Sequence, residues 1–244
     1  MQERIVSYSA DDREFRGHLV YDPQITKKRP AVLVAHAWMG QDNFARKKAA
    51  ALAQMGYVGF AADVYGNGKA VSTKEEAAAL MQPLFANRKA LQQRIIAAYR
   101  TLQEQPEVDP HRIGAIGFCF GGLTVIELFR SGADLKGVVS FHGVLGNTMN
   151  DIYAQTVPIA SNIHGSILIL HGHDDPLVSL QDIVHIQKEL TEAQVDWQMH
   201  IYGHTRHAFT NPEANDPSIG LKFDAQANAR SWQSMTNFFK EILQ

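Results

Sequence analysis

The chain has 244 residues, of which 45% are hydrophobic and 20% charged, and its net charge at pH 7 is −2. This balance is typical of a globular protein with ample core material, and it provides no basic surface for nucleic acid or membranes. No apolar stretch approaches the ~20 residues of a membrane span. One cysteine excludes an internal disulfide, and the N-terminus lacks the apolar segment of a secretory signal, so we predict a cytoplasmic protein.

Apolar runs and helical periodicity alternate along most of the chain. Two short strands joined by a turn at residues 11–12 predict an antiparallel hairpin at the start. From about residue 30 onward, continuous apolar runs predict buried strands, whereas apolar residues recurring every three or four positions predict helices. The predicted strands are 31–35, 57–62, 113–118, 137–141, 166–170 and 197–202, and the predicted helices are 43–55, 91–102, 123–129, 179–191 and 232–242.

This order predicts an α/β fold with a mainly parallel central sheet, helices on both faces and the hairpin at the sheet edge. Because no repeat, low-complexity tract or Pro/Gly-rich linker interrupts residues 1–244, we predict a single domain. The segment 66–87, between a strand and a long helix, is a candidate lid or pocket wall. The histidines at strand ends lack the close paired spacing of a metal site, and we expect neither a metal nor an organic cofactor. The sequence does not set the oligomeric state.

The single cysteine, Cys119, lies in the motif GFCFGG at residues 117–122. This is the thiol version of the G-x-S-x-G nucleophile elbow, and it lies between a predicted strand and a predicted helix, as that motif requires. Against ordinary glycine usage, chance places glycine at both −2 and +2 of a lone cysteine about 0.5% of the time. A buried structural cysteine would not need these glycines. We therefore predict that Cys119 is a nucleophile at a helix start, where positive partial charge favours the thiolate.

A cysteine nucleophile needs a base, and the base needs an orienting carboxylate. In elbow enzymes these follow in the order nucleophile, acid, histidine, each on a loop after a strand. Asp175 is favoured over Asp174 as the acid because the following proline pushes it toward an extended conformation, although either could instead cap the next helix. His207 is favoured over His204 as the base, because it comes last in the order and small and apolar residues follow it.

Two backbone amides are candidate donors to an oxyanion. One is the amide of Phe120, directly after the nucleophile, and the other is the amide of Trp38, on the loop after an early strand. The Trp38 side chain could equally be a pocket wall or a core aromatic. Other strand-end histidines are predicted to be scaffolding or pocket lining rather than catalytic: His36, His142 and His171.

The chain resembles the dienelactone hydrolase family of α/β-hydrolases. The residues that carry the resemblance are 57–68, 117–122, 171–178 and 207–212. The resemblance implies an ester or lactone hydrolase that uses Cys119, His207 and Asp175 as a triad and forms a thioester with its small-molecule substrate. The alternative from another class is a non-hydrolytic binding or redox-sensing protein, because a reactive, accessible thiol also oxidises readily.

The chain departs from the family pattern at two positions. Family members carry a glutamate close to the thiol, where this chain has Ala37. They also carry an arginine four positions after the catalytic histidine, which pairs with the substrate carboxylate, and here that position is Asn211. An amide cannot replace the bidentate ion pair of arginine, so the change weighs against dienelactone as the substrate. With His142, these two positions are the predicted substrate-binding residues.

Overall fold

The computed structural model describes residues 1–149, 152–153 and 157–244. In this part of the chain the strands are β1 (Gln2–Ala10), β2 (Arg13–Tyr21), β3 (Arg29–Ala35), β4 (Val58–Ala61), β5 (Val108–Phe118), β6 (Gly137–Phe141), β7 (Thr148–Met149), β8 (Ile152–Tyr153), β9 (Ser166–Gly172), β10 (Asp196–Tyr202), β11 (Asn215–Asp216) and β12 (Leu221–Lys222). The helices are α1 (Asn43–Gln54), α2 (Lys74–Ala86), α3 (Arg88–Gln103), α4 (Phe120–Arg130), α5 (Leu180–Glu192) and α6 (Ala225–Ile242), and Pro217–Ile219 forms a short 3₁₀ turn.

Eight strands form one sheet in the spatial order β1-β2-β4-β3-β5-β6-β9-β10. The strands from β4 to β10 in this order pair in parallel, and β1 and β2 extend the sheet as an antiparallel hairpin at one edge. The hairpin turn places Asp11 and Asp12 at φ 51° and 55°, the left-handed conformation that a two-residue turn of matching twist requires. The predicted α/β-hydrolase fold is confirmed.

The central strands are largely apolar and buried because both faces of the sheet are covered. On one face, α1 and α6 contribute Leu52 and Phe239 to a buried cluster. On the other face, α2, α3, α4 and α5 pack their apolar sides into a larger buried cluster. None of the helices in the described residues is both long and apolar enough to cross a membrane.

The helix boundaries follow local capping chemistry. Ser179 caps α5 in a reciprocal capping box with Asp182, and this agrees with the predicted start of that helix. Asp224 caps α6, which therefore begins several residues before the apolar periodicity predicted for it. The predicted lid or wall segment, residues 66–87, folds largely as α2, whose N-cap is Thr73.

The parallel strands β3, β5, β6, β9 and β10 all point their carboxyl ends toward the same edge of the sheet. The loops that follow them carry Trp38, Cys119, His142, Asp175 and His207. In open α/β sheets this edge is where ligands bind. The topology therefore brings the predicted functional residues to one edge, although they are far apart along the chain.

Candidate active site

Cys119 occupies a sharp turn between β5 and α4. Its backbone has φ 56° and ψ −117°, a left-handed conformation that is uncommon for any residue other than glycine. Such a conformation costs on the order of 1–3 kcal/mol and persists only where the surroundings impose it. The Cys119 amide donates to Phe141 O at 3.1 Å, and the Cys119 carbonyl accepts from Gly122 N at 2.9 Å. The strand, turn and helix predicted around the cysteine are all present.

The flanking glycines are needed because backbones approach closely here. A Cβ at Gly117 would collide with the carbonyl of Gly121, and a Cβ at Gly121 would collide with the carbonyl of Ala35 on β3. Both glycines therefore allow α4 to begin directly above the sheet. The pattern that identified Cys119 in the sequence has a steric cause at each position.

His207 is bonded to Asp175. The distance from His207 Nδ1 to Asp175 Oδ2 is 2.7 Å, and both side chains are fully buried. The other carboxylate oxygen of Asp175 accepts from Leu177 N at 2.9 Å, which fixes the carboxylate plane. Because Asp175 accepts the Nδ1 proton, His207 Nε2 is left to face the cavity that Cys119 also lines. Within the described residues, Nε2 has no hydrogen-bond partner of ordinary geometry.

The pKa of His207 is raised from 6.5 to about 10. Burial is the largest influence and opposes the charged ring, but the negative charges of Cys119 and Asp175 and the hydrogen bond to Asp175 outweigh it. An imidazolium at neutral pH beside a sulfur atom is the electrostatic setting of a thiolate–imidazolium pair.

The two alternative residues from the sequence lie elsewhere. Asp174 is exposed, and its backbone amide donates a hydrogen bond to Thr205 O at 2.9 Å. Asp175 is instead buried against the imidazole of His207. His204 is exposed as well, on the loop after β10. The structure thus brings together Cys119, His207 and Asp175, and leaves the runner-up residues in solvent.

The first candidate oxyanion donor directly follows Cys119 in the chain, and the second belongs to a residue that lines the same cavity as Cys119. The Phe120 amide is at the first position of α4, where helix geometry leaves amides without intrahelical partners. Trp38 follows β3, and its carbonyl accepts a hydrogen bond from Tyr65 Oη at 2.8 Å. Burial, followed by the charge of Cys119, raises the pKa of Tyr65 above its usual value of 10.

Cys119 and His207 line two adjoining compartments. The first is a cavity of about 180 Å³ with an apolar wall, completed by Trp38, Met81, Val144, Leu177, Ile219 and Leu221. The second, of about 400 Å³, is more polar, and it shares Trp38 and Leu221 with the first. All three predicted substrate-binding residues line this second compartment: Ala37, His142 and Asn211.

His142 is buried and packs beside His207. Its Nε2 and Thr210 Oγ1 are 2.8 Å apart, and its ring packs edge-on against the His207 ring at a centroid distance of 5.1 Å. Burial, followed by the charge of His207, lowers the pKa of His142 well below 6.5, so the ring is neutral. His36 and His171 are likewise buried with lowered pKa values, as expected for scaffolding.

Several cavity residues were not singled out in the sequence. Met81 and Lys74 come from α2, and Ile219 and Leu221 come from the short hairpin of β11 and β12. The signal for α2 was present, because Thr73 and Glu76 match the S/T-x-x-E signature of a helix start and Thr73 Oγ1 accepts from Glu76 N at 3.2 Å. The hairpin has two-residue strands, which carry no periodicity to detect.

Comparison with known proteins gives a consistent result. The model of the dienelactone hydrolase family matches residues 15–243. The solved structure of m3DLH is similar, with 38% sequence identity, a TM-score of 0.91, and coverage of 100% of this chain and 99% of that one. The dienelactone hydrolase-like promiscuous phosphotriesterase P91, from metagenomic libraries, is 36% identical with a TM-score of 0.91 over 100% of this chain and 99% of its own. A putative carboxymethylenebutenolidase of Aquifex aeolicus is 27% identical over 88% of this chain and 89% of the relative.

Proposed function

Since the chain belongs to the dienelactone hydrolase family and is a hydrolase of the ester and lactone type, we propose that its reaction runs through a triad of Cys119, His207 and Asp175. The observation that carries the proposal is the buried Asp175–His207 hydrogen bond of 2.7 Å, with His207 and Cys119 lining the same cavity. Family membership favours this activity over a redox-sensing or binding role.

In the first half of the reaction, the Cys119 thiolate attacks the carbonyl carbon of the ester or lactone. The carbonyl electrons move to oxygen, and the amides of Phe120 and Trp38 stabilise the oxyanion. When the tetrahedral intermediate collapses, the bond to the leaving oxygen breaks and the His207 imidazolium gives its Nε2 proton to that oxygen. The products of this half are a thioester on Cys119, a neutral His207 and an alcohol, which is released from an ester but stays attached to the acyl group of a lactone.

In the second half, His207 Nε2 takes a proton from water while the water oxygen attacks the thioester carbonyl. The new tetrahedral intermediate releases the carboxylic acid and the Cys119 thiolate, so the thiolate–imidazolium pair is restored. Asp175 keeps the imidazole in the required tautomer and stabilises its charged form in both halves.

The replacement of the family's glutamate by Ala37 does not prevent this reaction. The pKa of His207, raised to about 10, makes this imidazole a stronger base than a free histidine. In this mechanism His207, oriented by Asp175, takes the proton of Cys119, and no further carboxylate is needed for the transfer.

The test uses matched variants on adjacent loops. Cys119→Ala, His207→Ala and Asp175→Asn should each lose most of the turnover of 4-nitrophenyl butyrate, by about 1,000-fold or more for the first two. His204→Ala and Asp174→Asn alter the same loops at exposed positions and should keep turnover close to that of the unmodified protein. Acyl-enzyme trapped on Cys119 and detected by mass spectrometry would identify the thioester. Unaltered turnover in Cys119→Ala would refute the proposal.

A second candidate activity is the hydrolysis of uncharged phosphotriesters. The support is the whole-chain likeness to the phosphotriesterase P91. Diethyl 4-nitrophenyl phosphate, assayed with the unmodified protein and with Cys119→Ala, tests whether the same nucleophile acts at phosphorus.

A further inference from the structure

The charged side chains of the polar compartment are mainly acidic. Asp42, Glu213 and Asp216 line it, and Lys74 is the cation among its described lining residues apart from the catalytic pair. Cys119 and His207 contribute no net charge as thiolate and imidazolium, and His142 is neutral because burial lowers its pKa. The side chains that line the compartment therefore carry a net negative charge.

The ammonium of Lys74 is already paired. Its Nζ is 2.6 Å from Asp216 Oδ2, in a contact that joins α2 to β11 across the compartment. Lys74 and the hydroxyl of Ser218 lower the pKa of Asp216, so the carboxylate is ionised at neutral pH and holds the lysine. Lys74 is thus not free to bind a substrate anion unless it breaks this pair.

The two remaining carboxylates are not neutralised. Asp42 caps α1 by accepting from Ala45 N at 3.1 Å, and neither Asp42 nor Glu213 makes an ion pair within the described residues. An adjoining groove of about 430 Å³ shares Asp42 and Glu213 and adds the exposed Lys47. Even with this second lysine included, the acidic groups outnumber the basic ones.

The apolar compartment offers no alternative place for an anion. Its wall beyond Cys119 and His207 consists of the tryptophan, methionine and aliphatic side chains named above, none of which is ionisable. Moving a carboxylate from water into such a wall without a partner costs several kcal/mol. A substrate carboxylate would thus meet repulsion in one compartment and desolvation in the other.

We propose that this active site selects esters and lactones that are uncharged or cationic and discriminates against those that carry a carboxylate. The inference rests on the proposed triad and goes beyond it by naming the substrate class. The selectivity arises from the negative electrostatic potential of three carboxylates, those of Asp42, Glu213 and Asp216. Asp216 also contributes by forming an ion pair with Lys74.

Two substrate pairs test the proposal. In the first pair, the butyrate esters of 4-nitrophenol and of 5-hydroxy-2-nitrobenzoic acid differ by a carboxylate on the leaving group. In the second, 4-nitrophenyl pentanoate and 4-nitrophenyl hydrogen adipate differ by a carboxylate on the acyl chain. After correction for the rates of alkaline hydrolysis, kcat/KM should favour the uncharged member by about tenfold or more, and the preference should shrink at high salt.

Variants separate electrostatic selection from shape. Glu213→Gln and Asp216→Asn should each lower the preference for the uncharged ester several-fold, whereas Glu241→Gln, an exposed change on α6, should leave the preference unaltered. Equal kcat/KM within each pair, or a preference that neither variant alters, would overturn the charge selection while leaving the hydrolase intact. Absence of turnover with all four esters would instead overturn the proposed triad function.

Discussion

The hydroxyl of Tyr65 donates a hydrogen bond of 2.8 Å to the main-chain carbonyl of Trp38. Tyr65 also stacks on Phe120 at a centroid distance of 6.2 Å, and its ring contacts His36 at 4.6 Å. One buried side chain therefore touches both backbone segments whose amides are the proposed oxyanion donors. This arrangement makes Tyr65 a positioning residue for the oxyanion site.

Removing this hydroxyl should weaken catalysis more than binding. A hydrogen bond of this kind contributes about 0.5–1.5 kcal/mol, so we expect Tyr65→Phe to lower kcat for 4-nitrophenyl butyrate by roughly 2- to 10-fold with little change in KM. Tyr99→Phe is the matched control, because Tyr99 also donates to a backbone carbonyl, that of Asp134, but on α3 and outside both compartments. An equal loss of kcat in the two variants would show that Tyr65 acts only through stability.

The charged state of His207 predicts how the rate depends on pH. Because the pKa of His207 is about 10, the imidazole stays protonated below that pH. This proton is needed to protonate the leaving alkoxide. For an ethyl ester, we expect kcat/KM to fall as pH rises through about 10. For a 4-nitrophenyl ester, the phenolate leaves without a proton, so the fall should be shallow.

Asp175→Asn should move this alkaline fall to lower pH, because the variant loses one of the charges that hold the proton on His207. The measurement is a pH–rate profile for both esters with both proteins. Identical alkaline limbs for the ethyl and aryl esters would contradict the role of His207 as the acid.

Much of the fold was predictable because several central strands are short apolar runs covered on both faces. The positions of the catalytic candidates could be predicted because each follows a strand of the parallel sheet, and because the elbow needs glycines where a Cβ would collide with Ala35 O or Gly121 O. The candidate catalytic residues can therefore be recognised from short local motifs in the sequence.

The walls of the two compartments could be predicted only in part: the predicted wall segment 66–87 contributes Lys74 and Met81, whereas the hairpin of β11 and β12 was not predicted. Ile219 and Leu221 reach the cavity from a hairpin whose strands are two residues long, and Lys74 meets Asp216 across 142 positions of the chain. Helix α2 has a capping signature at Thr73 and Glu76, but Pro83 lies inside the helix and weakens its helical pattern. The proposed substrate selectivity depends on contacts between residues that are far apart in the sequence. It could therefore be inferred only from the three-dimensional structure.

Buried neutral histidines predict that acid destabilises the fold. The pKa values of His36, His142 and His171 are lowered from 6.5, chiefly by burial. Below pH 6.5 the unfolded chain binds protons that the native state does not, so the free energy of unfolding falls as pH decreases through this window. Each such histidine contributes up to about 1.4 kcal/mol per pH unit.

Urea unfolding of His142→Gln between pH 6.5 and 5 tests this effect. The variant should be less stable at neutral pH, since the bond to Thr210 is altered, but its stability should depend less steeply on pH than that of the unmodified protein. His204→Gln, at an exposed position, should keep the original slope. If the free energy of unfolding of His142→Gln depended on pH as steeply as that of the unmodified protein, His142 would not be a source of the acid destabilisation.

The elbow glycine Gly121 predicts a large steric effect from one methyl group. A Cβ there would meet backbone atoms of Ala35 and His36, which cannot rotate away as a side chain could. We expect Gly121→Ala to lower the free energy of unfolding by about 2 kcal/mol or more and to abolish turnover, because α4 must shift and Cys119 shifts with it.

Gly203→Ala is the matched control for this prediction. A Cβ at Gly203 meets no atom within 4 Å, and its backbone is not in the left-handed region. There the methyl group should leave stability unchanged or raise it by up to about 1 kcal/mol, because alanine reduces the entropy of the unfolded chain. Urea unfolding of both variants gives the comparison. A Gly121→Ala protein as stable as Gly203→Ala would mean that α4 does not lie against β3 as closely as the structure places it.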